Sequence, residues 1–179
     1  MTHIMLDLET LGTRPGSVIL TIGAVRFDEN GTYESFYKGI SIDDSKKHDL
    51  KVCPNAHAWW LDQTKEALDT AFSGTAKLDD ALNGFCEWVA SLGVSEWRDV
   101  NVWGNGSDFD NALLAEAYAV VGMRQPWSFT GNRCYRTMKN MFQGIEVPSV
   151  GVQHNALDDA IYQADHLIAI CKHHNLGLA

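Results

Sequence analysis

Asp7 and Glu9 stand two residues apart in the run His-Ile-Met-Leu-Asp-Leu-Glu-Thr, residues 3–10. On a strand, residues two apart share a face, so both carboxylates would point the same way. Two like charges side by side are costly unless a cation bridges them, and carboxylate oxygens are hard ligands suited to magnesium or manganese. A solvated pair of surface charges would show the same spacing. A second acidic group lies in Trp103-Gly-Asn-Gly-Ser-Asp-Phe-Asp-Asn111, where a short strand runs into a helix. Such junctions are where α/β proteins build sites, although Asp108 or Asp110 could equally cap the helix. The third group, His154-Asn-Ala-Leu-Asp-Asp-Ala160, opens the last helix. There Asn155 is a ready N-cap, and Asp158, three residues on, would complete a variant of the capping box. That reading leaves Asp159 for chemistry.

Taken together, the order and spacing of the three motifs resemble the His-containing branch of the DEDD exonuclease superfamily, which includes proofreading exonucleases, oligoribonuclease and ribonuclease T. The family's Asp-x-Glu-Thr falls on Asp7, Glu9 and Thr10, its Asn-x-x-x-Phe/Tyr-Asp on Asn105, Phe109 and Asp110, and its His-x-x-x-x-Asp on His154 and Asp159. The resemblance runs from residue 4 to about residue 170. Trp59-Trp60-Leu-Asp-Gln and Trp103-Gly-Asn-Gly further look like a phage-type subgroup of small standalone members.

The resemblance implies a metal-dependent 3′–5′ exonuclease that releases nucleoside 5′-monophosphates from the 3′ ends of mostly single-stranded DNA or RNA. By it, Asp7, Glu9, Asp110 and Asp159 hold two Mg2+ (or Mn2+) ions, and His154 takes a proton from the attacking water, a role suited to the side chain that titrates nearest neutral pH. Leu8, Thr10, Leu11, Asn105 and Phe109 are the substrate-binding set it implies, with Leu8 and Leu11 equally readable as core. Trp59 and Trp60 could stack on bases, but adjacent helical residues diverge by about 100°, so at most one is expected to face substrate. Arg133, Arg136 and Lys139 could track phosphates or form a solvated helix face. A non-catalytic nucleic-acid-binding module on the same fold is the alternative, and the complete acidic set speaks against it.

The elements that must position these residues read as α/β. Strands are expected over residues 3–8, 18–27 and 32–40, the last two joined by a hairpin at Asn30-Gly31, where both residues tolerate the positive φ of a type I′ turn. A polar stretch covers 41–51, and helices are expected over 54–72 and 78–92, the latter with Leu78, Leu82, Phe85, Val89 and Leu92 at helical spacing. A strand at 100–103, a helix over 109–121, a strand-like piece at 132–135 with a helix to 142, a loop over 144–153 and a helix over 155–174 complete the chain. The family fold is ribonuclease H-like: a five-stranded mixed sheet, order 3-2-1-4-5 with strand 2 antiparallel, flanked by helices. The whole chain, 1–179, reads as a single exonuclease domain.

Composition is compatible with this and excludes little. The 179 residues carry a net charge of −9, which argues against binding nucleic acid through a broad basic surface but not against presenting cations to phosphates. No apolar run reaches the roughly 18 residues of a membrane span. The N-terminus lacks a basic region ahead of an apolar stretch, so no signal peptide is expected. Cys53, Cys86, Cys134 and Cys171 show no zinc spacing and read as reduced thiols of a cytoplasmic protein. The expected partner is a nucleic acid with a free 3′ end, with no membrane, and a homodimer is left open.

Overall fold

A computed structural model describes residues 1–149 and 151–178; Val150, within the loop read over 144–153, and Ala179 lie outside the described residues. Strand β1 (Thr2–Thr10) is buried along almost its whole length, which places it at the middle of the sheet. It pairs antiparallel with β2 (Ile19–Asp28) and parallel with β4 (Val100–Gly104). Beyond them β3 (Gly31–Gly39) pairs antiparallel with β2, and β5 (Asn132–Cys134) pairs parallel with β4. The order β3-β2-β1-β4-β5 is the expected one, β2 antiparallel included.

Side-chain alternation along β1 divides the core. Ile4, Leu6 and Leu8 pack with α4 (Leu78–Ser91) and α5 (Ala112–Val120) on one face. Met5 packs on the other with Ala160, Ala164 and Leu167 of α7 (Ala156–His174) and with Tyr135 at the start of α6 (Tyr135–Met141). Asp7 and Glu9 share Met5's face, so they emerge beneath the first turns of α7. That helix can lie so close because β2 carries Gly23 opposite Asp7. A Cβ on Gly23 would sit 2.2 Å from the carbonyl carbon of Ala156.

Three local readings are corrected. The hairpin turns at Glu29-Asn30, one residue early, with Asp28 paired to Gly31, and neither Asn30 nor Gly31 takes a positive φ. The Asp28 carboxylate sets this turn by accepting from the Asn30 amide (2.7 Å) and the Tyr33 hydroxyl (2.9 Å), an Asx turn that competes with the type I′ geometry. The polar stretch holds a short helix, α1 (Ile42–Lys47), N-capped by Ser41. Its Asp44 accepts from the Leu78 amide at 2.9 Å and so caps α4, whose own N-cap residue Lys77 cannot. The helix expected over 54–72 is two helices, α2 (Pro54–Leu61) and α3 (Lys65–Phe72). Thr64 accepts from the Ala67 amide, and a threonine cap of this kind stabilises a fresh start by about 1 kcal/mol. Among the described residues, no helix is long and apolar enough to cross a membrane.

Candidate active site

Polar groups reach the end of β1 from two directions. Asp7 Oδ1 accepts from the Gln163 side-chain amide of α7 at 2.7 Å. Asp110 reaches β1 from the other side: a π-helical turn, Ser107–Asn111, precedes α5 and turns Asp110 inward, 1% exposed. Pairing between β4 and β1 ends at Leu6 and Gly104, so the Leu8 amide beyond that point is open to donate to Asp110 Oδ1 (3.2 Å). The other oxygen, Asp110 Oδ2, is buried without a hydrogen-bond partner. Asp108, by contrast, is exposed. Helix α5 therefore begins at Ala112, three residues later than expected, because residues 107–111 wind more widely to bring Asp110 round.

The third motif arrives with α7. Asn155 is its N-cap, as expected, accepting from the amides of Leu157 (3.0 Å) and Asp158 (3.2 Å). Asp158 does not complete a capping box. Its Oδ2 accepts from the Val152 amide at 2.8 Å, while the Asn155 amide bonds the Val152 carbonyl instead. Asp159 Oδ2 accepts from the backbone amide of His154 at 3.0 Å. Glu9, His154 and Asp159 each bring a ligand atom to within 4.8 Å of the other two.

Burial dominates the electrostatics of this cluster. It pushes Glu9 up to about 8, with help from the charges of Asp159 and Asp110. Asp110 is pushed up to about 7 by burial, against the amides of Leu8, Asn105 and Asp110 that hold it down. Asp7 lies well above the usual carboxylate range, chiefly through burial and then through the charges of Asp110 and Glu9, with the Gln163 bond opposing. Burial also raises Asp159, against its bond from His154. Four carboxylates pushed the same way form a site short of positive charge.

A cavity of about 750 Å³ opens over the cluster. Leu8, Thr10, Asn105 and Phe109 line it; Leu11 does not, and is buried in the core instead. Both tryptophans line the cavity and lie edge-on to His154, but they differ in exposure. Trp60, 1% exposed, donates its indole N–H to the Thr10 carbonyl (2.9 Å) and anchors the end of β1. Trp59, 46% exposed, stands in the cavity wall with its ring edge-on to His154, centroids 5.0 Å apart. The basic trio separates likewise. Arg133 bonds the carbonyls of Thr130 and Asn132, Arg136 bonds the Asn105 carbonyl, and Lys139 lines the cavity. Gln163 is a site residue that the three motifs do not single out. It carries a signal nonetheless: it lies four residues after Asp159, on the same helix face.

A family model described as the 3′–5′ exoribonuclease Rv2179c-like domain matches residues 2–171. The exodeoxyribonuclease of Enterobacteria phage T4 is 22% identical over 126 residues, 65% of this chain and 55% of that protein, so the chain spans about half the length of this curated relative. Among solved structures, the chain is similar to cell-death related nuclease 4 (CRN-4), with a TM-score of 0.64 and 16% identity over 96% of this chain and 64% of that one. It is similar also to E. coli exonuclease I in complex with a 5cy-dT13 oligonucleotide, TM-score 0.62 and 18% identity, covering 96% and 40% of the two chains. The nuclease domain of 3′hExo, a DEDDh family member bound to rAMP, gives 0.60 and 12% over 97% and 92%. At these identities the solved structures show a shared ribonuclease H-like fold.

Proposed function

This chain belongs to the Rv2179c-like 3′–5′ exoribonuclease domain family, and we propose that it is a metal-dependent exonuclease releasing nucleoside 5′-monophosphates from the 3′ ends of single-stranded DNA or RNA. The observation that carries this reading is the cluster itself: Asp7, Glu9 and Asp159 meet His154 at one cavity, Asp110 is buried on the amide of Leu8, the residue between Asp7 and Glu9, and burial drives every one of the four carboxylates upward.

The cluster fits divalent cations on its own chemistry. Asp110 Oδ2 is a buried acceptor with no protein donor, and an oxygen-only carboxylate set suits magnesium or manganese. Asp7, Glu9, Asp110 and Asp159 would hold two such ions. Bound there, the cations would stabilise charge on the attacking and leaving oxygens of the phosphodiester. The chain's own residues do the rest. His154, placed beside Glu9 and Asp159, accepts the proton of the attacking water. Gln163 fixes the orientation of Asp7. Leu8, Thr10, Asn105 and Phe109 shape the seat of the terminal nucleotide, and Leu11 supports that seat from the core.

The family's name points to RNA and that of the phage T4 relative to DNA, so both belong in the test. End-labelled single-stranded DNA and RNA, each also as a closed circle, are incubated with magnesium or manganese and then with excess chelator. The expected result is stepwise shortening from the 3′ end, mononucleotide product, intact circles and no reaction in chelator. Full activity in chelator would overturn the metal assignment, and cutting of circles would overturn the exonuclease assignment.

A further inference from the structure

Two adjacent carboxylates of α7 reach back to the segment that carries His154. Asp159 accepts from the His154 amide and Asp158 from the Val152 amide, at 3.0 and 2.8 Å. That segment is held in unusual backbone: Gly151 has φ +84° and His154 φ +65°, a left-handed conformation that a side-chain-bearing residue adopts only where its surroundings enforce it. The chain at Gly151 rests directly on Asp158. A Cβ on Gly151 would lie 2.2 Å from the Asp158 carboxyl carbon, so no other residue fits there without moving one of the two.

We infer that Asp158 is a positioning residue for this exonuclease: its carboxylate clamps the Val152 amide and so holds His154 in its left-handed conformation over Glu9 and Asp159. The inference rests on the reading of His154 as the proton acceptor. The two carboxylates differ in what else they serve. Asp159 belongs to the cluster that would hold cations, so its oxygens are shared between a ligand role and the His154 amide. Asp158 stands outside that cluster and its bond to Val152 is not shared. With Asp159 drawn to a cation, the Asp158 bond works with the Asn155 amide–Val152 carbonyl bond to keep the His154 segment on the helix. Trp59 and Trp60 both stand edge-on to the imidazole.

The test compares Asp158→Ala with Asp158→Asn, since an amide oxygen can still accept from Val152 whereas alanine cannot. Asp158→Ala should lower kcat about 10–100-fold, the usual scale for residues that orient a metal-site group, with KM for a short oligonucleotide within about twofold. Asp158→Asn should restore most of kcat. Independently of activity, hydrogen exchange at the amides of residues 151–154 should quicken in Asp158→Ala and stay near wild type in Asp158→Asn, with or without manganese. Gly151→Ala should lower kcat in the wild-type background and cost less when Asp158 is already alanine. Should Asp158→Ala fail to fold, Gly151→Ala and Asp158→Asn carry the same comparison. Unchanged kcat and exchange in Asp158→Ala would overturn the clamp. So would equal losses in Asp158→Ala and Asp158→Asn, because the charge rather than the hydrogen bond would then matter. If quickened exchange accompanies a wild-type protein that leaves 3′ ends intact, the clamp stands and the exonuclease assignment falls.

Discussion

The two halves of the site are held by opposite means. Asp7, Glu9 and Asp110 gather at the sheet: Glu9 is 7% and Asp110 1% exposed, Asp7 and Glu9 sit where strand geometry puts them, Asp110 is turned onto β1 by the π-helical turn after β4, and no ion pair among the described residues neutralises them. His154 and Asp159 belong to a loop and a helix start, are only partly buried, and are located by a few side chain-to-backbone hydrogen bonds. This buried, rigid half therefore carries the larger electrostatic cost, because its backbone is packed in place and cannot relax away from its neighbours. The other half carries His154, the residue proposed to accept a proton, and its position depends on bonds that single substitutions can remove. The sheet provides charge density, and the loop provides alignment.

The largest effects should come from the carboxylates, one from each half. Asp110→Asn and Asp159→Asn are expected to reduce single-turnover cleavage to background and to weaken manganese binding, while Asp108→Asn, an exposed neighbour, keeps most activity. Titration calorimetry beside single-turnover rates reads both quantities. An active Asp110→Asn with a dead Asp108→Asn would mean that the second motif is misregistered. His154→Ala comes next: turnover should fall by about 10²–10⁴-fold with cation affinity largely kept, so the two halves separate into binding and proton transfer. Equal losses of affinity and turnover in His154→Ala would instead make His154 a ligand, a role its proximity to Glu9 and Asp159 allows.

A smaller effect strikes the joint between the halves. Gly23→Ala places a methyl against the backbone of Ala156 and Leu157, with contacts of 2.2–2.4 Å, so α7 has to move off the sheet. Overpacking of this kind costs about 1–3 kcal/mol. Denaturant unfolding should show that loss, and cleavage should fall with it because Asp159 and His154 travel with the helix. Wild-type cleavage at reduced stability would show that the halves tolerate displacement.

Much of this arrangement is legible in residue types and their spacing alone. The strand order is readable because the Asp-x-Glu strand and the hairpin beside it are local signals and the three motifs bring a known topology with them. The fold then brings Asp7, Glu9 and Asp159 around one cavity and buries Asp110 on the Leu8 amide between the first two. What escapes are features whose cause lies in competing side chains. The hairpin register slips because Asp28 organises the turn with its carboxylate, which the Asn-Gly pair masks. The two helices α2 and α3 read as one because their apolar positions run on, whereas the break is made by the capping bonds of Asp62 and Gln63 that end α2 and by the Thr64 cap that starts α3. Leu11 goes to the core because its position at the end of β1 turns it inward, which family spacing alone does not specify. Gln163 and Asp158 escape as partners because each acts on a residue that only folding brings near.

The subtlest prediction sets stability against activity in the rigid half. Glu9 is pushed from an ordinary 4.5 to about 8 and Asp110 from 3.8 to about 7, so the cation-free fold prefers both protonated. A raised carboxylate contributes stability below its unfolded value and loses it as pH climbs through the folded value. His3 runs the other way: buried and accepting from the Trp103 indole, it is lowered from 6.5 to about 4, and its contribution is lost only as pH falls below 6.5. Between pH 6.5 and 8 the carboxylates therefore act without it. In chelator, the melting temperature should fall across that window, and saturating manganese should raise it more at pH 8 than at 6.5, with protons released on binding. Glu9→Gln and Asp110→Asn should flatten the cation-free slope and melt above wild type at pH 8, although neither supports cleavage. A wild-type melting temperature that is flat from 6.5 to 8, or variants less stable than wild type in chelator at pH 8, would show that the rigid half is not under electrostatic strain.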